Sequence, residues 1–320
     1  MSPSFLGLPV ELRLRIYEDF LNEHTHVRRN RQPSNTHFRL LHVCKQITDE
    51  ATCLRQYISL LHENQIRTLL SNANGFSLSC IRSVDVANDG RVIRLRDKPL
   101  QNFPVSVAHE ALYRMKNMTS VRVFNTTRGT PVGPLVTGAG LSLQFELALF
   151  PVGPPRNLQS YETFLGVGPQ NTLFQSVQPT SIQRLRLSGA CRFSQSVSLV
   201  SLEHLTVDGA QGSYMERHLA QDISLSRLKS FAHAQRDAMG FEFTEALLVA
   251  IVAQSSTTLT RLVILDGRKL ETTALGAALR QLQVLDYLAV VLVSREFEHN
   301  FAQDIASTIS TLKLWDPLYT

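Results

Sequence analysis

From about residue 75 onward the chain keeps returning to one short phrase. Ile182-Gln183-Arg184-Leu185-Arg186-Leu187-Ser188-Gly189 and Leu202-Glu203-His204-Leu205-Thr206-Val207-Asp208-Gly209 are its clearest copies. Leu228-Lys229-Ser230-Phe231, Leu259-Thr260-Arg261-Leu262-Val263-Ile264, Leu282-Gln283-Val284-Leu285 and Leu312-Lys313-Leu314 repeat it, and Ile81–Val86, Thr119–Val123 and the alternating stretch Leu141–Leu147 precede them. The common form is L-x-x-L-x-L, often followed by a small residue or Asp-Gly. Alternate side chains of an extended backbone point to opposite faces, so the apolar positions share one side and the residues between them share the other. Helical candidates lie between the phrases at Val105–Lys116, Tyr214–Ile223, Phe243–Gln254, Thr272–Leu282 and Phe297–Ile309. One strand and one helix cannot bury their own apolar face, and units of this kind stack.

The phrase resembles the strand part of a leucine-rich repeat. Copies recur at roughly 20 to 40 residues, against about 20–29 in a regular array, and the Asn that usually follows the strand is mostly replaced, with Asp208 and Asp266 in its place. The resemblance implies an α/β chain whose residues 75–320 form an irregular solenoid of strand–helix units. A domain of parallel strands with crossover helices satisfies the same phrases without being a repeat. The Gly- and Pro-rich segment Arg128–Pro155 reads as loops between early units.

The N-terminus follows a different rule. At 3.6 residues per turn, Val10, Leu14, Tyr17 and Leu21 fall on one stripe of a helix starting near Pro9, and Leu12, Ile16 and Phe20 fall on a second. Pro9 suits a helix start, and Glu11 suits the positive end of the helix dipole. Two apolar stripes need two surfaces to bury against, the protein's own core and either a second internal surface or a partner. Further on, Leu40, Cys44, Ile47, Ala51, Leu54, Ile58 and Leu61 share one face of a helix expected from about Arg39 to the His62 region.

Leu8-Pro9-Val10-Glu11-Leu12, followed by Ile16 and Leu21, resembles the opening of an F-box. Leu40-Leu41-His42-Val43-Cys44-Lys45-Gln46-Ile47, with Glu50-Ala51 after it, is similar to the later helix of F-box and F-box-like proteins of fungi. Ile47 stands near the place of that family's aromatic residue, and the intervening stretch His24–His37 is long and basic. The resemblance implies a helical module over residues 1–65 that binds a Skp-type adaptor and through it a cullin complex. Leu6, Leu8, Pro9, Leu12, Ile16 and Val43 would form that contact.

Composition sets outer bounds. Of 320 residues, 43% are hydrophobic and 18% charged, which describes a folded chain long enough for two domains. A net charge of +5 permits nucleic-acid contact but does not argue for it. No signal peptide is visible, and the apolar runs Ala246–Ala253 and Tyr287–Val293 are too short to span a bilayer. The expectation is a cytoplasmic or nuclear protein without a membrane contact. Cys44, Cys53, Cys80 and Cys191 are scattered, as buried free thiols would be.

No zincin, P-loop, dinucleotide-binding or nucleophile-elbow motif occurs, so the chain is expected to be no enzyme and to need no cofactor. An enzyme with a site that follows no motif would need a deep polar pocket with perturbed carboxylates or histidines. Cys44, Cys53, His24, His26 and His42 fit no metal-ligand spacing. Arg28-Arg29-Asn30-Arg31 reads as a solvated loop or a patch for an acidic partner or nucleic acid. The residues between the apolar positions of the phrases would face a protein target. These are Arg184, Arg186, Ser188, His204, Thr206, Asp208, Ser230, Ala232, Arg261, Val263, Val284, Asp286, Lys313 and Trp315, with Trp315 either a binding anchor or a cap on the last unit.

Overall fold

A computed structural model of the chain describes residues 5–27, 32–72, 78–87, 92–93, 105–124, 146, 149–150, 157–166, 171–174, 177, 179–193, 199–211, 227–234, 243–265, 270–291 and 309–315. They form a mixed α/β fold of parallel strands and helices, divided into two compact units: residues 1–134 with 155–157, and residues 135–154 with 158–320. The expected helices at 214–223 and most of 297–309, the Gly- and Pro-rich loops at 128–155 except residues 146 and 149–150, and Asp266 lie outside the described residues. Of the alternating stretch 141–147 only Glu146 is described, and its backbone is helical.

The first unit begins with a 3-10 turn, Phe5–Gly7, and helix α1, Val10–Thr25, with Pro9 at its N-cap. A 3-10 segment at Thr36–His42, the short helix α2 at Lys45–Glu50 and a second 3-10 segment at Thr52–Gln56 follow. Strand β1, Tyr57–Leu60, then leads through helix α3, Glu63–Ser71, to strand β2, Ser83–Ala87. Two short strands, β3 at Val92–Ile93 and β4 at Val105–Ser106, pair with each other. Helix α4, Ala108–Arg114, packs against α3 and precedes strand β5, Ser120–Phe124. Strands β1, β2 and β5 are parallel neighbours, with Ser59, Asp85 and Arg122 in one register row.

The long second helix expected from Arg39 onward is therefore not one helix. Its apolar residues do reach a common core, where Ile47, Ala51 and Leu54 surround Tyr17, with Leu40, Leu41 and Cys44 packed on them. The chain leaves helical backbone at Tyr57 because Tyr57-Ile58-Ser59-Leu60 finds ladder partners in β2. Every residue of β1 is buried, so the strand is covered on both faces.

One of those faces is sealed by polar groups. The Asp85 carboxylate has no solvent exposure, and it accepts two N–H bonds from Arg122, at 2.7 and 2.8 Å, and one from the Tyr57 hydroxyl at 2.6 Å. Arg122 also donates to the Thr25 carbonyl at the end of α1, at 2.7 Å. Asn35 bonds both backbone groups of Ser59, at 2.8 and 2.7 Å. The helical segment is thus pinned to the strands at two places, Asn35 on Ser59 and Thr25 on Arg122.

In the second unit, parallel strands follow one another in the order β6 (Ser160–Phe164), β8 (Arg184–Phe193), β9 (His204–Gln211), β10 (Ser230–Ala234), β11 (Arg261–Leu265), β12 (Tyr287–Val291) and β13 (Thr311–Trp315). Strand β7, Asn171–Leu173, pairs with the far end of β8. Helix α5, Glu245–Ser255, and helix α6, Thr272–Leu279, connect β10 to β12 through β11 and pack on each other.

The repeated phrase has a direct structural meaning here. Its first leucine is the buried residue before each strand: Leu158, Ile182, Leu202, Leu228, Leu259 and Leu285 all have no solvent exposure. The next residue offers its carbonyl to two successive N–H groups of the following unit. Gln183 receives Glu203 and His204, Glu203 receives Lys229 and Ser230, Lys229 receives Thr260 and Arg261, Thr260 receives Asp286 and Tyr287, and Asp286 receives Ser310 and Thr311. The remaining apolar positions enter the core as pairs, such as Leu185 with Leu187 and Leu262 with Ile264.

Two expectations need correction. Leu282–Leu285 is not a strand: Leu282 closes the turn after α6, Leu285 is the buried residue before β12, and the strand's inward pair is Leu288 and Val290. Ser188 does not face outward. It is buried, donates to the Thr163 carbonyl at 2.6 Å and accepts from the Leu165 N–H at 2.7 Å. The backbone turns it inward through Gly189, whose φ of +68° lies in the left-handed region and coincides with a register shift between β8 and β9.

Replacing Arg122 with Met takes the guanidinium away from the buried Asp85 carboxylate and leaves the Tyr57 hydroxyl bonded to it. The expected loss is about 3–5 kcal/mol in denaturant unfolding, whereas Tyr57→Phe removes one bond from the carboxylate and should cost about 1–3 kcal/mol. At Gly189→Ala a Cβ would lie 2.6 Å from the Gly166 carbonyl oxygen. That clash adds to the about 1–2 kcal/mol of left-handed backbone for an L-residue, and a lowered melting temperature is expected.

Candidate interaction surfaces

Helix α1 turns a charged residue inward and apolar residues outward. Arg13 is buried, and its guanidinium reaches both carboxylate oxygens of Glu50 on α2, at 2.8 and 2.6 Å. It also donates to the carbonyls of Leu6 and Leu8, tying the opening 3-10 turn to α1 and α2. Gln46 and Tyr17 complete the shell of Glu50, at 2.9 and 3.4 Å. The bonds from Arg13 hold the Glu50 carboxyl at about 2, well below the usual carboxylate range.

This pair decides which stripe of α1 faces the core. The inward line is Arg13 and Tyr17, continued by the half-buried Leu21 and His24. Val10 and Leu14, which share the stripe of Tyr17 and Leu21, are exposed. Leu12 is 50% exposed and Ile16 and Phe20 just over 40%, so these three form one continuous apolar line along the helix. Leu6 and Pro9 are also exposed, Leu8 is half-buried, and Val43, at 64%, stands out between the 3-10 segment and α2.

Beside the end of α1 lies an imidazole pair that no sequence spacing marks. The rings of His24 and His37 are 4.8 Å apart, and Tyr57 lies 5.2 Å from His37. His37 is buried, with Nε2 at 3.1 Å from the Leu54 carbonyl and Nδ1 without a hydrogen-bond partner. Burial, aided by neighbouring His24, lowers its pKa from 6.5 to about 4. His24, Thr25, Ser34, Tyr57, Arg122 and Phe124 line a small pocket next to it. None of these roles follows from the local sequence, because each depends on the segment folding back over β1.

The strand positions that alternate with the inward apolar pairs form two register rows, in which Ala289 alone of those named is buried. Arg184, His204, Ser230, Arg261, Tyr287 and Thr311 make the first, and Arg186, Thr206, Ala232, Val263, Ala289 and Lys313 the second. Arg186 is committed to Asp208 on the next strand and lies 4.5 Å over the Phe164 ring. Arg261 stacks 4.1 Å from the centre of the Tyr287 ring, and Lys313 lies 5.8 Å from the same centre. The pKa of His204 is lowered by its partial burial and by the cation of Arg184.

Of the residues expected to meet a target, Arg184, His204 and Arg261 therefore share one row, with Arg186 and Asp208 paired beside it. Asp286 is exposed but precedes β12, and its backbone is occupied by the strand-to-strand bonds. Trp315 pairs with Val291 through backbone register, and its side chain lies outside the described residues, as do Arg28, Arg29 and Arg31. Among the described residues no three His, Cys, Asp or Glu side chains gather as a metal-holding group, and no helix is long and apolar enough to cross a membrane. No protein-family model matches the chain, and no curated protein matches it.

His37 makes stability depend on pH. The unfolded imidazole takes its proton near 6.5 and the folded one only near 4, so the unfolded state binds more protons in between. Stability is complete above about pH 6.5 and falls by about 1.4 kcal/mol per pH unit toward pH 4. Glu50 acts over a lower window, its contribution being lost as pH falls from about 4.5 to about 2. Urea midpoints at stepped pH should show the first decline in the native chain and a flatter profile in His37→Gln.

Proposed function

We propose that this chain is the substrate receptor of a cullin–RING ubiquitin ligase. In this reading an F-box-like N-terminal module binds a Skp-type adaptor, and an irregular leucine-rich-repeat-like solenoid binds the target protein. The observation that carries it is the exposed line Leu12, Ile16 and Phe20 on the helix whose opening, Leu8-Pro9-Val10-Glu11-Leu12, resembles an F-box. Apolar area left in water recovers about 25 cal/mol per Å² when a partner covers it, and a continuous patch of this kind marks an interaction surface. Leu6, Leu8, Pro9, Leu12, Ile16 and Val43 form the adaptor contact. Support for the solenoid comes from the recurring buried leucine and the carbonyl that links each strand to the next.

The receptor itself performs no bond chemistry. It acts by holding a target near the ubiquitin carrier recruited by the rest of the complex, where proximity raises the effective concentration of the target lysine. Its place of work is the cytoplasm or nucleus.

A second reading rests on a different observation. Asn35, through Ser59, and Arg122, through the Thr25 carbonyl, fasten the helical segment onto the strands of the first unit. A scaffold outside any ligase would use the same helices only to close its core.

Co-purification of the full chain with a Skp-type adaptor separates the two. Wild type is expected to bind. Leu12→Asp/Ile16→Asp is expected to lose the adaptor while keeping its melting temperature, since both residues are exposed and surface changes cost about 0.5 kcal/mol or less. A folded wild type that leaves the adaptor behind favours the closing-helix scaffold.

A further inference from the structure

The outward row of the second unit carries positive charge that the described residues leave unanswered. Arg186 is neutralised by Asp208, and Lys229, just before β10, by Glu203 at 2.9 Å. Among the described residues, Arg184, Arg261 and Lys313 pair with no carboxylate. Arg184 and Arg261 stand on β8 and β11 at the same register level, both exposed. Between them lie His204 and the small residue Ser230, with Ala232 beside it in the second row, so the side chains are shortest at β10. Beyond Arg261, the Tyr287 ring sits between two cations, Arg261 and Lys313.

We propose that this face binds an extended acidic segment of a protein, laid across the strands with one acidic side chain at Arg184 and the next at Arg261. Three strand spacings of about 4.8 Å separate the two arginines, roughly 14 Å in all. An extended chain advances about 3.3–3.6 Å per residue, so the acidic groups stand about four residues apart. Residues between them meet the low ground of Ser230 and Ala232, where a side chain of the segment finds room. Glutamate, aspartate and a phosphorylated serine share the chemistry that the guanidinium groups recognise. A nucleic-acid backbone fits less well, because it places a phosphate at every nucleotide and Glu162, Glu203 and Asp208 lie on or beside the same face. The inference rests on the receptor reading only for the role of the bound segment as a target.

The test is fluorescence anisotropy with the full chain and labelled peptide pools that differ only in the separation of two glutamates, all other positions being neutral. A pool with both glutamates replaced by glutamine and an oligothymidine serve as comparisons. The four-residue separation is expected to bind best, and Arg184→Glu and Arg261→Glu each to weaken it about tenfold at low salt. Arg184→Gln/Arg261→Gln should weaken it in the same direction with an unchanged melting curve. Binding that ignores the separation, survives both charge reversals or is stronger for oligothymidine overturns the proposal, as does no binding to any acidic pool. Leu12→Asp/Ile16→Asp separates the two readings. Peptide binding that persists in wild type without adaptor capture leaves this inference standing and removes the ligase.

Discussion

A five-residue strand has too little surface to hold itself in place, and β10, β11 and β12 of the second unit are of that length. Each becomes stable only when its neighbours complete both its hydrogen bonds and its apolar contacts. The buried leucine before each strand fixes its depth, and the following carbonyl, by accepting two N–H groups from the next unit, fixes its register. With depth and register set, the outward positions of successive strands must align. The rows that bring Arg184 level with Arg261, and Tyr287 between Arg261 and Lys313, are consequences of that stacking.

Helix α1 follows the opposite logic. Burying Arg13 is tolerable only because Glu50 and two backbone carbonyls meet it. Once the guanidinium occupies the inward position, residues a helical turn away along that side belong to the core, and those on its flanks do not. Leu12, Ile16 and Phe20 are held in water by the polar pair beneath them. The exposed apolar line and the buried ion pair are thus two sides of one arrangement.

The polar seal over β1, β2 and β5 links these themes. Asp85, Arg122 and Tyr57 occupy strand positions, yet they close on the carbonyl at the end of α1. The His24–His37 pair fills the space beside that closure. A buried imidazole that resists its proton makes the join sensitive to acid.

Local sequence was enough to determine which residues avoid water and which periods they follow. The strand phrases at 182–187, 202–207 and 259–264, the helices near Val10, Phe243 and Thr272, and the placing of Arg184, His204 and Arg261 between the apolar positions were all legible, because alternation and helical spacing are properties of neighbours in the chain. Tertiary contacts decided what periodicity leaves open. Tyr57–Leu60 satisfies a helical spacing as well as a strand, and only its pairing with β2 selects the strand. Leu282–Leu285 carries the phrase, but the strand begins two residues later, where a neighbour offers its ladder. Val10 and Leu14 satisfy a core stripe until Arg13 finds Glu50, 37 positions away. Long-range electrostatics and strand pairing are invisible in a short window of sequence, and they set which of two equally periodic faces is buried.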